Sequence, residues 1–281
     1  MQICRSGKEI KKLVQGLKAD GHTVGFVPTM GALHAGHLSL VEEARIHTDR
    51  VVASIYVNPT QFNNPEDLKL YPRDLEGDSK KFEASGVSIL FIPEDEDMYP
   101  DGAVSEAFDL GHLDNVMEGA FRPGHFQGVA TVVKRLFKMI EPDYAFFGEK
   151  DYQQVAVIRK MVKIEDLDTQ VISCPNIREQ DGLAMSSRNL RLNAEERQEA
   201  NLIYASMKEV KDRKEELSVQ DALALIGDRL RKSKNLSLEY VQIADEKTLE
   251  PLENWSDSNH ERIFIAAYAG KTRLIDNLSL R

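Results

Sequence analysis

The stretch VPTMGALHAGHLSL, residues 27–40, decides how this chain is read. Just upstream, TVGFV at 23–27 is apolar and rich in β-formers, and Pro28 has no N–H to give a sheet ladder, so a strand ends there. Downstream, Leu38, Leu40, Val41 and Ala44 recur at helical spacing, with Glu42, Glu43 and Arg45 on the opposite face. The unit is strand, tight glycine turn, helix. His34 and His37 are three apart and share one face of the helix at its amino end, where free N–H groups and the helix dipole favour anions. Gly31 and Gly36 let a ligand approach the backbone closely. A single histidine here would read as a solvated surface residue; the whole H-x-G-H after a strand favours a phosphate site.

The rest of the N-terminal part repeats the alternation. Ser6-Gly7-Lys8-Glu9 fits a capping box, and Ile10, Leu13, Val14 and Leu17 continue an amphipathic helix. Further apolar runs at 50–57, 87–92, 144–147 and 169–173 predict four more strands, with helices near 74–85, 126–140 and 152–163 between them. Strands apolar throughout and alternating with helices imply a parallel sheet covered on both faces, a doubly wound, Rossmann-like α/β domain over residues 1–176. Residues 93–125 carry several glycines and prolines and read as a long irregular loop, a feature that is usually functional. From 177 the pattern changes. Asn193-Ala194-Glu195-Glu196 opens a charged helix expected to run to about 215, Ser218 caps another, and runs at 238–243, 263–268 and 272–276 predict a small sheet. Residues 177–281 are therefore expected to form a smaller α+β domain.

Composition narrows the function classes. The 281 residues are 42% hydrophobic and 29% charged, an ordinary globular balance. A net charge of −10 argues against a broad nucleic-acid footprint. Cys4 and Cys174 form no metal-spaced pair and fit a reducing compartment. The N-terminus lacks the apolar region of a signal peptide, and no run approaches the ~20 residues of a membrane span.

If the strand order is 3-2-1-4-5, the switch point lies between strands one and four, and ligands of open α/β sheets bind there. Phe147-Gly148-Glu149-Lys150-Asp151 follows strand four and would share that crevice with H-x-G-H. Lys150 suits a phosphate; Asp151 with Gln154 also fits a capping-box variant, and on the residues alone the cap is the stronger reading. Met185-Ser186-Ser187-Arg188-Asn189, after Asp181-Gly182, either closes over a triphosphate or is a solvated linker. Asn58 and Gln61 follow strand two, as ligand contacts or as turn chemistry. Arg122-Pro123-Gly124-His125 is suggestive only.

Taken in order along the chain, PTMGALHAGH, VNPTQF, YPRD, EGAFRPGHFQGV, FGEKDYQQ, DGLAMSSRN and the terminal RLIDN resemble the pantothenate synthetase (pantoate–β-alanine ligase) family over essentially its full length. The resemblance implies ATP-dependent joining of (R)-pantoate to β-alanine through pantoyl adenylate, with release of pyrophosphate and then AMP, use of Mg²⁺, and a cytoplasmic homodimer. It places Met30, Gly31, Ala32, Leu33, His34, Ala35, Gly36 and His37 at ATP, with His37 matching the family's proton donor. Gly148, Glu149, Lys150, Asp151, Ile177, Met185, Ser186, Ser187 and Arg188 fall on further nucleotide-binding stretches. Gln61 and Gln154 match the glutamines that hold pantoate, Gln61 lying also beside β-alanine. His34, His37, Lys150 and Arg188 are the candidates for stabilising charge on the α-phosphate, and the smaller domain is expected to act as a lid. Where the family has an acidic residue before the aspartate matching Asp78, this chain has Gly77, so no protein metal ligand is assigned. The competing readings are a tRNA-charging enzyme, which needs an RNA-binding module, a cytidylyltransferase, which would prefer CTP, and a nucleotide-binding sensor, which would not turn over.

Overall fold

The computed structural model describes residues 1–281, which divide into two compact units, Met1–Pro175 and Asn176–Arg281. The first holds strands β1 (Gln2–Cys4), β2 (Val24–Thr29), β3 (Arg50–Ile55), β4 (Ile89–Phe91), β5 (Tyr144–Gly148) and β6 (Gln170–Cys174). Its helices are α1 (Gly7–Ala19), α2 (Ala35–His47), α3 (Pro65–Lys69), α4 (Leu75–Ser85), α5 (Asp95–Met98), α6 (Met117–Phe121), α7 (His125–Ile140) and α8 (Tyr152–Ile164). All neighbouring strands run parallel, in the order β1-β4-β3-β2-β5-β6. The five expected strands are β2 to β6, in the expected order. The sixth, β1, was not expected: three residues carry no periodicity, and only its ladder to β4, Gln2 opposite Ile89, makes it a strand.

Helices on both faces explain why the central strands have no polar face. On one side Val27, Val51 and Ala53 pack with Leu40, Val41 and Phe82. On the other, Phe26 meets Phe137 of α7 edge-on, ring centroids 6.2 Å apart. The strand order reverses at β2, which has β3 on one side and β5 on the other, so the carboxyl ends of β2 and β5 flank the switch point.

Residues 93–125 are more ordered than expected, with α5, α6 and a 3₁₀ turn at Gly111–Asp114. These elements are too short to stand alone and are tied down from a distance. The Glu106 N–H donates to Thr131 Oγ1 at 2.8 Å, and Phe108 N–H to Gln127 Oε1 at 2.8 Å, both on α7. At the start of α1 the capping box is only half formed. Ser6 accepts the Glu9 N–H, but the Glu9 carboxylate takes the N–H of Arg5.

The second unit has α9 (Ala194–Ala200), α10 (Leu202–Asp212), α11 (Val219–Arg231) and an antiparallel sheet of β7 (Leu236–Asp245), β8 (Glu261–Ala269) and β9 (Thr272–Ser279). The single helix expected to about 215 is broken: Asn201, a poor helix former, closes α9 and opens α10. The Asn193–Glu196 capping box and the Ser218 cap form as expected. No helix is long and apolar enough to cross a membrane.

Candidate active site

The turn after β2 is shaped by a buried carboxylate. Gly31 and Ala32 both lie at positive φ, +83° and +52°. That conformation costs the alanine about 1–3 kcal/mol. Asp78 of α4, 1% exposed, offsets it by accepting the Ala32 N–H at 2.6 Å and the Leu33 N–H at 2.9 Å. Lys81 Nζ donates to the Leu33 carbonyl at 2.9 Å and lies 3.5 Å from Asp78. A side chain at Gly31 would also meet Asp78 Oδ2 at 3.1 Å, a second reason for glycine there.

His34 is the N-cap of α2, and the two histidines form a capping box of their own. His34 Nδ1 accepts the Gly36 N–H at 3.2 Å, and His37 Nδ1 accepts the His34 N–H at 3.3 Å. The sequence pointed to free amides at this helix end; the rings occupy two of them. The same bonds determine the tautomer. With Nδ1 accepting, each neutral ring carries its proton on Nε2. The rings lie 4.0 Å apart between centroids. Burial, then electrostatic interaction with His34, Lys150 and Lys81, pushes His37 down to about 3. At neutral pH it is therefore a hydrogen-bond donor through Nε2 and holds no spare proton.

Lys150 follows β5, the strand paired with β2, so G-E-K-D and H-x-G-H stand at the carboxyl ends of neighbouring strands, and the Lys150 charge reaches His37. Lys150 Nζ lies 3.2 Å from Asp151 Oδ1. Asp151 precedes α8 but caps nothing with its side chain, so the expected capping box with Gln154 does not form. The neighbouring glutamine is the structural one. Gln153, buried, accepts the Glu118 N–H and donates to the carbonyls of Leu113 and Val116, stapling the long loop to α8. Gln154 is half-buried and takes no part in that staple.

Gln61 sits in a 3₁₀ turn, Pro59–Gln61, after β3. Its carboxamide accepts from Asn58 Nδ2 at 3.2 Å and gives Nε2–H to Met30 Sδ at 3.0 Å. Arg122 and His125 brace its backbone: His125 Nδ1 donates to the Gln61 carbonyl at 2.8 Å and Arg122 Nη2 donates at 3.3 Å. Burial and the adjacent Arg122 guanidinium push His125 down to about 3, so its neutral Nε2 accepts from Arg122 at 3.0 Å. Asn58 is 1% exposed and does act as a turn residue, capping the 3₁₀ turn. Sequence reasoning missed Asp78 as the holder of the Ala32–Leu33 turn, Gln153 as a staple and Tyr99, whose hydroxyl donates to Asn58 Oδ1 at 2.5 Å. Only the R-P-G-H motif hinted at the brace.

In the second unit, residues 176–189 form a small hairpin. Met185 N–H donates to the Ile177 carbonyl at 3.0 Å. Arg178 forks onto Asp276 at 2.6 and 3.0 Å, and Asn189 Nδ2 donates to Glu179 and to the Ala184 carbonyl. Ser186 accepts the Arg188 N–H at 3.2 Å. The segment is thus an ordered part of its unit, which removes the solvated-linker reading, and Asp276 of the terminal RLIDN anchors it.

An open parallel α/β sheet with the H-x-G-H and G-E-K-D motifs at its switch point defines the class, a doubly wound α/β protein of the kind that binds its ligand at that point. The pantoate–β-alanine ligase family model matches residues 2–279. Pantothenate synthetases from Christiangramia forsetii and Bacteroides fragilis are 45% and 43% identical over 281 residues, covering 100% of this chain and 99% of theirs. The crystal structure of pantothenate synthetase from Thermus thermophilus superposes with a TM-score of 0.93 at 43% identity, covering 100% of this chain and 99% of that one. The Francisella tularensis enzyme, complexed with beta-gamma ATP and beta-alanine, does so with 0.83 at 38% identity, over 100% and 98%. The chain belongs to the pantoate–β-alanine ligase family.

Proposed function

We propose that this ligase condenses (R)-pantoate with β-alanine in two steps, through pantoyl adenylate. In the first step a pantoate carboxylate oxygen attacks the α-phosphorus of ATP, the bond to the β-phosphate oxygen breaks, and pyrophosphate leaves. In the second the β-alanine nitrogen attacks the acyl carbon, the bond to AMP breaks, and the amine proton passes to solvent. The observation that carries this reading is the donor set at the switch point: His37, whose Nδ1 accepts a backbone N–H so that its neutral ring carries the proton on Nε2, beside His34 and Lys150.

Negative charge builds on the α-phosphate oxygens in the first step, and donors already oriented for it need no rearrangement. His34 and His37 supply hydrogen bonds and Lys150 supplies charge. In this reading His37 donates a hydrogen bond rather than a proton. The turn from Met30 to His37, with Gly148 to Asp151, lies along the nucleotide. The Ala32 and Leu33 amides are already bound to Asp78, so that part of the turn contributes shape and not donors. Ile177, Met185, Ser186, Ser187 and Arg188 belong to the nucleotide-binding set of the second unit, which acts as a lid. Gln61 and Gln154 hold pantoate; Gln154 is supported by the absence of the capping box that would otherwise explain it. The Francisella enzyme's complex supports ATP and β-alanine as substrates. The family resemblance supports a cytoplasmic homodimer.

No group of three or more His, Cys, Asp or Glu side chains gathers to hold a metal ion. Asp78 is committed to two amides and Gly77 has no side chain. The residues therefore offer no protein cage for Mg²⁺, which on this reading arrives on the phosphates of ATP with water completing its shell.

The test is the order of chemistry. With Mg²⁺, ATP and pantoate but no β-alanine, the enzyme should exchange labelled pyrophosphate into ATP. Exchange that requires β-alanine would rule out the adenylate, and release of ADP would point to phosphorylation instead.

A further inference from the structure

An asparagine or glutamine carboxamide has a donor end and an acceptor end, and turning it over exchanges them. The orientation of Gln61 is set by its neighbour. Asn58 is 1% exposed, and both ends of its amide are engaged. Oδ1 accepts from the Tyr99 hydroxyl at 2.5 Å and from Thr60 Oγ1 at 3.1 Å. Nδ2 donates to the Gly128 carbonyl at 3.1 Å and to Gln61 Oε1 at 3.2 Å. With its oxygen held by that bond, Gln61 turns its NH₂ end toward Met30 Sδ and away from Asn58.

The far end of this series of bonds is the long loop. Tyr99 is 5% exposed and its ring lies under the Arg135 guanidinium, 4.4 Å from the centroid. Arg135 also donates to the Met98 carbonyl and lies 3.4 Å from Glu106 Oε1. The hydroxyl is thus delivered to Asn58 by a tyrosine that is itself clamped.

We propose that Tyr99 is a positioning residue for pantoate: through Asn58 it presents Gln61 to the substrate donor end first. A donor suits pantoate, whose carboxylate and hydroxyl oxygens are acceptors. The inference rests on the reading that Gln61 holds pantoate. It gives residues 93–108 a role in substrate selection without placing them at the reacting atoms.

A double-mutant cycle tests it, with wild type, Tyr99→Phe, Gln61→Ala and the double variant compared in pantoate KM, ATP KM, kcat and Tm. Tyr99→Phe keeps the ring and its cation–π contact and removes only the hydroxyl. Its pantoate KM should rise about three- to tenfold, in line with one lost hydrogen bond, while ATP KM stays within about twofold. In the Gln61→Ala background the same substitution should change pantoate KM by less than about twofold, because there is no carboxamide left to orient. A purely structural tyrosine would lower Tm and raise both KM values alike in either background. That result, or a full Tyr99→Phe effect on top of Gln61→Ala, or no effect in wild type, overturns the inference while leaving Gln61 at pantoate. If Gln61→Ala itself leaves pantoate KM unchanged, the placing of Gln61 fails and the inference falls with it. Should Tyr99→Phe not fold, Thr60→Val runs the same cycle. Thr60 Oγ1 lies 2.9 Å from the Tyr99 hydroxyl and 3.1 Å from Asn58 Oδ1, so its loss should act in the same direction and vanish in the same background.

Discussion

Replacing Gly128 by alanine should disturb the site without touching any polar group. Gly128 lies inside α7 with ordinary helical backbone, so space alone explains the glycine. A Cβ there would stand 2.4 Å from the Thr60 carbonyl oxygen, 2.7 Å from its carbon and 2.9 Å from the Gln61 nitrogen. Ordinary contact begins near 3.4 Å, so the helix and the 3₁₀ turn must part by about 1 Å, and both sides are backbone that cannot simply swing away. Overpacking of this kind costs about 1–3 kcal/mol, and the alanine recovers up to about 1 kcal/mol in helix propensity. A net loss of about 1–2 kcal/mol should lower Tm by roughly 2–8 °C. The parting also strains the bonds from Asn58 Nδ2 to the Gly128 carbonyl and from His125 to the Gln61 carbonyl. Gln61 should shift with the turn, and a displacement near 1 Å is enough for pantoate KM to rise about tenfold or more. Thermal melts and steady-state kinetics with each substrate varied read both effects. Gly16→Ala is the control: nothing lies within 4 Å of that exposed α1 position, so it should stabilise by about 1 kcal/mol and leave kinetics alone. Wild-type Tm and pantoate KM in Gly128→Ala would refute the reasoning, and a lowered Tm with unchanged KM would show that the packing does not reach the site.

His37→Ala should fold, since it gives up one 3.3 Å capping bond, yet turnover should fall about 10²–10³-fold; near-normal turnover would remove His37 from the α-phosphate. Gln154→Ala should leave Tm nearly unchanged, because no cap is lost, and raise pantoate KM with ATP KM intact; a shift in Tm alone would make it structural after all. Folded His37 and His125 bind protons only near 3, whereas in the unfolded chain they do so near 6.5. The unfolded state therefore takes up protons first as pH falls, so stability is intact above about 6.5 and is lost toward 3, by up to about 1.4 kcal/mol per pH unit for each. His125→Asn should make Tm less sensitive to pH between 7 and 5 by one proton's share, and an unchanged slope would contradict the buried neutral ring.

The alternation of apolar runs with amphipathic helices, and Pro28 at the end of a strand just before H-x-G-H, were enough to specify a doubly wound sheet with its motif at a strand's carboxyl end, because period and punctuation are local properties. The family's motifs, in order along the chain, were equally legible. Tertiary structure decided what each polar group is bonded to. Which of two adjacent glutamines is a staple, whether Asp151 caps a helix, which amides Asp78 occupies and which nitrogen of His37 bears the proton all depend on partners that the folded chain brings within reach. β1 becomes a strand only because β4 lies beside it, and Tyr99 matters only because the loop returns it to Asn58. A hydrogen bond needs both of its ends in place, and residue spacing gives only one of them.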